Sequence, residues 1–191
     1  MKKLILASAS PRRKQLLQQL GLDFIVVPSN VAEKLDLRLT PRQQAEQLAL
    51  QKTQAVAVQF DDAIIIGADT FVVVGNEIVG KPKDEHDAKR MLKKLRGRQH
   101  VIVTGFVLID TASKRTIIKS VETKVWFRKL SLQEIHSYLE KEKPFDKAGA
   151  YAVQGLGTTF VEKIEGEYSG AVGLPLFTLA KELRKLGVEV L

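Results

Sequence analysis

Cysteine is absent from all 191 residues, which removes disulfides, thiolate nucleophiles and the usual structural zinc from consideration. Histidine is scarce: His86, His100 and His136 are scattered without ligand spacing. Any metal is therefore expected to be a hard cation held by carboxylates, magnesium or manganese. No apolar run approaches the length that spans a bilayer, and the apolar segment after Met1-Lys2-Lys3 is too short for a signal peptide. No membrane partner is expected, and the expected compartment is the cytoplasm. Repeats, low-complexity tracts and linkers are missing too, so residues 1–191 are expected to form one domain.

What is present is an ordinary globular balance, 45% hydrophobic and 27% charged, enough to bury a core. The net charge of +8 favours polyanionic partners, whether small phosphates or nucleic acid.

Residues 4–7 read as a short buried strand, and Ser10-Pro11 then supplies an N-cap and a first helical position. The helix that follows begins Arg12-Arg13-Lys14, placing three cations at the end that already carries partial positive charge. Such a start reads either as a solvated basic turn or as a cradle in which N–H groups, hydroxyls and guanidinium forks meet an anion. Residues 24–27 read as a strand, followed by a polar loop holding Glu33. Thr40-Pro41, with Gln43 at the capping-box position, opens a helix through about residue 58. Lys52 lies beside its apolar stripe and reads as a snorkelling side chain.

Residues 63–67 form an apolar run of strand length that delivers Asp69 into an expected turn. On this stretch alone, Asp69 reads as a turn or cap residue after a buried strand. Gly75-Asn76 between residues 71–74 and 77–79 predicts a hairpin that carries Lys81 back towards Asp69, with Pro82 restricting it. Asp84 opens a helix whose outer face, Lys89, Arg90, Lys93, Lys94 and Arg96, is basic. Residues 100–110 and 115–127 read as long strands, Ser131 and Glu134 as a capping box, residues 158–164 as a strand, and residues 176–186 as a last helix. Between the last two helices Asp146-Lys147-Ala148-Gly149-Ala150-Tyr151-Ala152-Val153-Gln154-Gly155 forms a glycine-containing wall that lets a flat or charged ligand come close. Strands and helices alternate only in part, which predicts α/β architecture around a mixed sheet.

The inventory is one well-placed acid, a second acid in a loop, several fixed cations and a helix start suited to phosphate. The P-loop pattern, the dinucleotide fingerprint and any Ser-His-Asp spacing are missing. This set suits metal-assisted attack of water on phosphate: Arg12, Arg13 and Lys81 hold a phosphate chain, Asp69 and Glu33 bind the metal, and Asp69 acts on the water. A basic nucleic-acid-binding protein without hydrolase activity is the alternative of another class. Against it stand an aromatic content of 6% and basic residues spread without a recognition motif. A phosphatase releasing single phosphates, or a nucleotide sensor, is a further rival.

The blocks Leu4-Ile5-Leu6-Ala7-Ser8-Ala9-Ser10-Pro11-Arg12-Arg13, Gly67-Ala68-Asp69-Thr70, Lys81-Pro82, Asp146-Lys147-Ala148-Gly149-Ala150-Tyr151 and Gln154-Gly155 occur in order across almost the whole chain. They resemble the signature blocks of the Maf family of nucleoside triphosphate pyrophosphatases. The resemblance implies a three-layer α/β/α fold with a mixed central sheet, like that of inosine triphosphatases, with two lobes around a cleft. It also implies divalent-metal hydrolysis of the α–β phosphoanhydride to a monophosphate and pyrophosphate. By position it implies Asp69 as proton acceptor, Arg12, Thr70 and Gln154 as residues bearing on substrate choice, and Ser8, Arg13, Glu33, Lys52 and Lys81 as the phosphate and metal site. Ala150-Tyr151 followed by Gln154-Gly155 resembles members acting on dTTP and UTP, whereas Ser-Phe followed by Glu-Gly marks those acting on 7-methyl-GTP. A neutral amide both donates and accepts, which suits the O4 and N3–H edge of uracil or thymine. Ala152 departs from the commoner glycine. A nucleoside triphosphate is the expected partner, nucleic acid is not, and a second copy of the chain is a further candidate.

Overall fold

A computed structural model describes residues 2–32, 34–36 and 38–191. The chain forms β1 (Lys3–Leu6), α1 (Pro11–Gln18), β2 (Phe24–Val26), α2 (Pro41–Ala57), β3 (Ala63–Val74), β4 (Glu77–Val79) and α3 (Glu85–Leu95). It continues with β5 (Gln99–Asp110), β6 (Arg115–Phe127) and α4 (Leu132–Glu142). Two 3₁₀ segments, Ala148–Ala150 and Gly155–Phe160, precede β7 (Val161–Glu165), α5 (Tyr168–Val172) and α6 (Leu176–Arg184). Among the described residues no helix is long and apolar enough to cross a membrane.

The strands form one mixed sheet in the order β2-β1-β3-β5-β6-β7, with β4 paired to β3 alone. β1 is parallel to both neighbours, and the remaining pairs are antiparallel. Because side chains alternate across a strand, β3 serves two cores at once. Ile64, Ile66, Ala68 and Val72 pack with residues of α1, α3, α4 and α6. Ile65, Phe71 and Val73 lie on the other face, against Ala45, Leu48, Ala49 and Val56 of α2. The result is the expected α/β arrangement, a mixed sheet with helices on both faces.

One edge of β3 is incomplete. β5 covers the opposite edge from Ile64 to Val73. On this edge β1 pairs only as far as Ile66, and β4 begins at Val72. Residues 67–71 therefore face a gap between two short strands, and the fold opens there.

Local chemistry explains most boundaries. The capping boxes at Thr40 and Ser131 are formed, and the Asp84 side chain caps α3 by accepting from the Asp87 N–H. The Gly75-Asn76 hairpin is present as β3–β4. Two expectations are corrected. Asp69 is not in a turn: β3 runs straight through it, held along its length by β5. Residues 158–160 are 3₁₀, not strand, because Thr158 and Thr159 hydroxyls donate to the Val153 and Leu156 carbonyls and favour a local turn. The short α5 is an addition to the expected elements. Glu167 supports its junction with α6, accepting from the Phe177 and Thr178 N–H groups that Pro175, at the N-cap, cannot satisfy.

Candidate active site

Asp69 lies in the open stretch of β3 on the face covered by α2. It is 6% exposed, and Lys52 of α2, 8% exposed, donates its ammonium to Asp69 Oδ1. The pair exists because helix and sheet come unusually close. A Cβ on Gly105, which faces Asp69 across the β3–β5 ladder, would stand 2.5 Å from the Ala45 carbonyl carbon. A Cβ on Gly67 would stand 2.1 Å from the Thr53 hydroxyl. Without those side chains α2 settles onto the sheet and Lys52 points along it to Asp69. The reading of Lys52 as a snorkelling residue is thereby corrected: its head is buried. Lys81, the cation expected beside the acid, lines the same cleft, but the described contact to Asp69 comes from Lys52.

The cleft has a volume of about 370 Å³ and opens into a second hollow of about 640 Å³ over the start of α1. Arg12, Arg13, Lys52, Lys81 and Gln154 line both. Around the two hollows the described residues include five cations, with Lys147 the fifth, against Asp69, Glu142 and Asp146. Ser10 occupies the N-cap of α1 as expected, yet its hydroxyl makes no capping bond. The first-turn N–H groups of this helix therefore have no side-chain cap, as an anion site requires. Ser8, buried at the end of β1, accepts from the Ser10 N–H at 3.2 Å and from Arg13 Nη1 at 3.4 Å.

The other end of the cleft is apolar: Leu48, Phe71, Val72, Ile102 and Val153 line it, with Tyr151. Tyr151 and Val153 belong to the wall expected from residues 146–155, whereas nothing in the sequence separates Leu48, Phe71, Val72 and Ile102 from a general core, since a cleft wall and a core face carry the same periodicity. The loop bearing Gln154 is tied to the Lys81 segment by the Gly149 N–H, which donates to the Gly80 carbonyl at 3.0 Å. Gly149 and Ala150 both adopt left-handed backbone, at φ 68° and 59°, a conformation that costs a non-glycine residue about 1 kcal/mol. Thr70 is half-buried, its hydroxyl engaged by Arg13 and Thr104. Ser8, Arg12, Arg13, Lys52, Asp69, Thr70, Lys81 and Gln154 are thus brought together; Glu33 lies outside the described residues.

Behind the wall, Tyr151 donates to or accepts from His100 Nε2 at 2.5 Å, and both rings meet Phe127 edge-on at 4.6 and 4.9 Å. Burial pushes the Tyr151 phenol up. Burial also pushes the His100 imidazole down from 6.5 to about 4, against a smaller opposing contribution from the Arg98 backbone. Below pH 6.5 the unfolded chain takes up a proton that the folded chain refuses until about pH 4, so stability falls as pH drops through that window. The loss expected by pH 4 is about 3 kcal/mol from this residue. Urea midpoints measured from pH 7 to 4 check it: a steady decline is expected, and a flat profile would contradict a buried neutral His100.

A family model for Maf-like protein matches residues 3–186. The dTTP/UTP pyrophosphatase of Alkaliphilus oremlandii is 49% identical over 185 residues, 96% of each chain. That of Ruminiclostridium cellulolyticum is 45% identical over 192 residues, the full length of both. Among solved structures, the Ham1 protein of Staphylococcus aureus aligns with a TM-score of 0.49 and 17% identity, over 66% of this chain and 72% of that one. With the family model matched over residues 3–186 and the blocks between Leu4 and Gly155 converging on one cleft, the chain belongs to the Maf-like protein family.

Proposed function

We propose that this cleft hydrolyses dTTP and UTP to the monophosphate and pyrophosphate. The observation that carries the reading is the buried Asp69–Lys52 pair, set in a gap of the sheet between a cationic hollow and an apolar wall. The names of the full-length relatives supply the reaction class and the pyrimidine substrates. Phosphates lie towards Arg12, Arg13, Lys81, Ser8 and the α1 start, where N–H groups and guanidinium forks match their oxygens. The base lies against the apolar wall, with the Gln154 amide reading its O4 and N3–H edge.

Asp69 accepts the proton of a water whose oxygen attacks phosphorus at the α–β anhydride. The bridging P–O bond breaks and its electron pair leaves with pyrophosphate. Lys52 holds the carboxylate in one orientation, and the cations of the hollow meet the charge that develops on the leaving group. Among the described residues no cluster of three or more acids and histidines forms a cage for a metal. A buried carboxylate facing a phosphate site fits a hard cation. Asp69, Glu33 and the phosphate oxygens would hold magnesium or manganese, and when bound it supplies neutralisation of the phosphate charge.

The basic face of α3 is solvated surface in this reading: Arg90 pairs with Asp87 and Lys94 with Glu77, each at 2.5 Å. Incubation with a panel of nucleoside triphosphates and magnesium or manganese tests the substrate assignment. dTTP and UTP are expected to lead in kcat/KM; a lead for 7-methyl-GTP or ATP would remove the role given to Gln154.

A further inference from the structure

Thr104 stands in the middle of β5, 0% exposed, and reaches neither hollow. Its hydroxyl donates to the Gly170 carbonyl at 2.8 Å. It also lies 2.9 Å from the Thr70 hydroxyl, a contact in which either oxygen could be donor by distance alone. Counting protons settles the direction. A threonine hydroxyl carries one proton and a carbonyl none, so Thr104, already donating to Gly170, must accept from Thr70. Thr70 has then used its own proton and can only accept from Arg13 Nη2, at 3.1 Å, and a guanidinium only donates. Arg13 Nε donates in turn to the Gly173 carbonyl at 2.9 Å, while the Gly173 N–H is shared between the Ser169 carbonyl at 3.0 Å and the Gly170 carbonyl at 3.1 Å. The bonds close a ring in which the direction of each is fixed.

We propose that Thr104 is a positioning residue for Arg13: by taking the only hydroxyl proton of Thr70, it turns the Thr70 lone pairs to the guanidinium and fixes that fork at the phosphate hollow. The inference rests on the reading of Arg13 as a phosphate contact. It also assigns how Thr70 acts. While the ring stands, Thr70 has no proton to offer a substrate, and its influence on the bound nucleotide passes through Arg13.

The test compares T104V, which keeps the shape and removes both bonds, with T104S, which keeps both. KM for dTTP and the inhibition constant of inorganic pyrophosphate are each expected to rise about tenfold in T104V, from loss of one oriented charge-assisted contact, with kcat within about threefold. T104S is expected to recover most of this loss. T70V should match T104V, and the double variant T70V/T104V should be no worse than the larger single change, since both act through one guanidinium. A residue that merely fills the core would lower the unfolding midpoint and leave KM and the pyrophosphate constant in place. If T104V does not fold, T104C, of similar volume with only weak bonding capacity, takes its place with the same expected direction. Wild-type constants in a folded T104V, or losses that multiply in the double variant, overturn the role of Thr104 alone. A wild-type chain that neither hydrolyses dTTP nor binds pyrophosphate overturns the reading of the hollow, and this inference with it.

Discussion

Replacing Asp69 by asparagine is expected to lower kcat for dTTP about 10³-fold while KM stays within about threefold, the loss that follows when a positioned general base is removed while an amide oxygen remains to meet the metal and the cations of the hollow still hold the phosphates. Asparagine keeps the shape and can still meet Lys52, but an amide cannot take a proton from water. The substitution also neutralises one partner of a pair in which the side chains are 8% and 10% exposed, so the kinetics belong well below the unfolding transition. Circular dichroism at the assay temperature establishes that the variant is folded. A large rise in KM with kcat preserved would make Asp69 a binding residue; full activity would remove it from the reaction.

Gly105→Ala is expected to be strongly destabilising for the addition of a single methyl. Its Cβ would meet backbone atoms on α2, 2.5 Å from the Ala45 carbon and 2.6 Å from the Ala45 oxygen and the Glu46 nitrogen. Backbone cannot swing away as a side chain can, so either α2 lifts off the sheet or β5 bends. We expect a loss of about 3 kcal/mol or more, at the upper end for overpacking because no rotamer relieves it. Activity should fall with it even in the folded fraction, since the helix that lifts carries Lys52 away from Asp69. Urea unfolding with far-ultraviolet detection measures the first effect, and kcat at a temperature where the variant is still folded measures the second. A wild-type midpoint would show that the approach of α2 to the sheet is looser than its geometry implies.

Much of this arrangement is legible in the residues because it is local. Ser10-Pro11, Thr40-Pro41 and Ser131-x-x-Glu134 mark helix starts by chemistry that acts over three or four positions, and Gly75-Asn76 marks its hairpin in the same way. The cations at the start of α1 are conspicuous because they contradict the helix dipole. What local chemistry cannot reveal is who stands across the sheet. Gly67-Ala68-Asp69-Thr70 has the composition of a turn, and only its ladder to β5 makes it strand. The gap beside it depends on where β1 and β4 stop, a property of two pairings distant in sequence. Lys52 looks like any lysine beside a helical stripe until the glycines at 67 and 105 bring its helix down. Thr104, inside Val101-Ile102-Val103-Thr104-Gly105-Phe106, gives the faint signal of a lone hydroxyl in an apolar strand, and its partners lie 34 and 66 residues away.

The products of dTTP hydrolysis, followed by phosphorus NMR with magnesium present, test the central claim most directly. Wild-type protein is expected to give dTMP and pyrophosphate in equal amounts, and the Asp69→Asn variant neither at an appreciable rate. Orthophosphate and dTDP as first products, or pyrophosphate release unchanged in the variant, would contradict the assignment of this cleft.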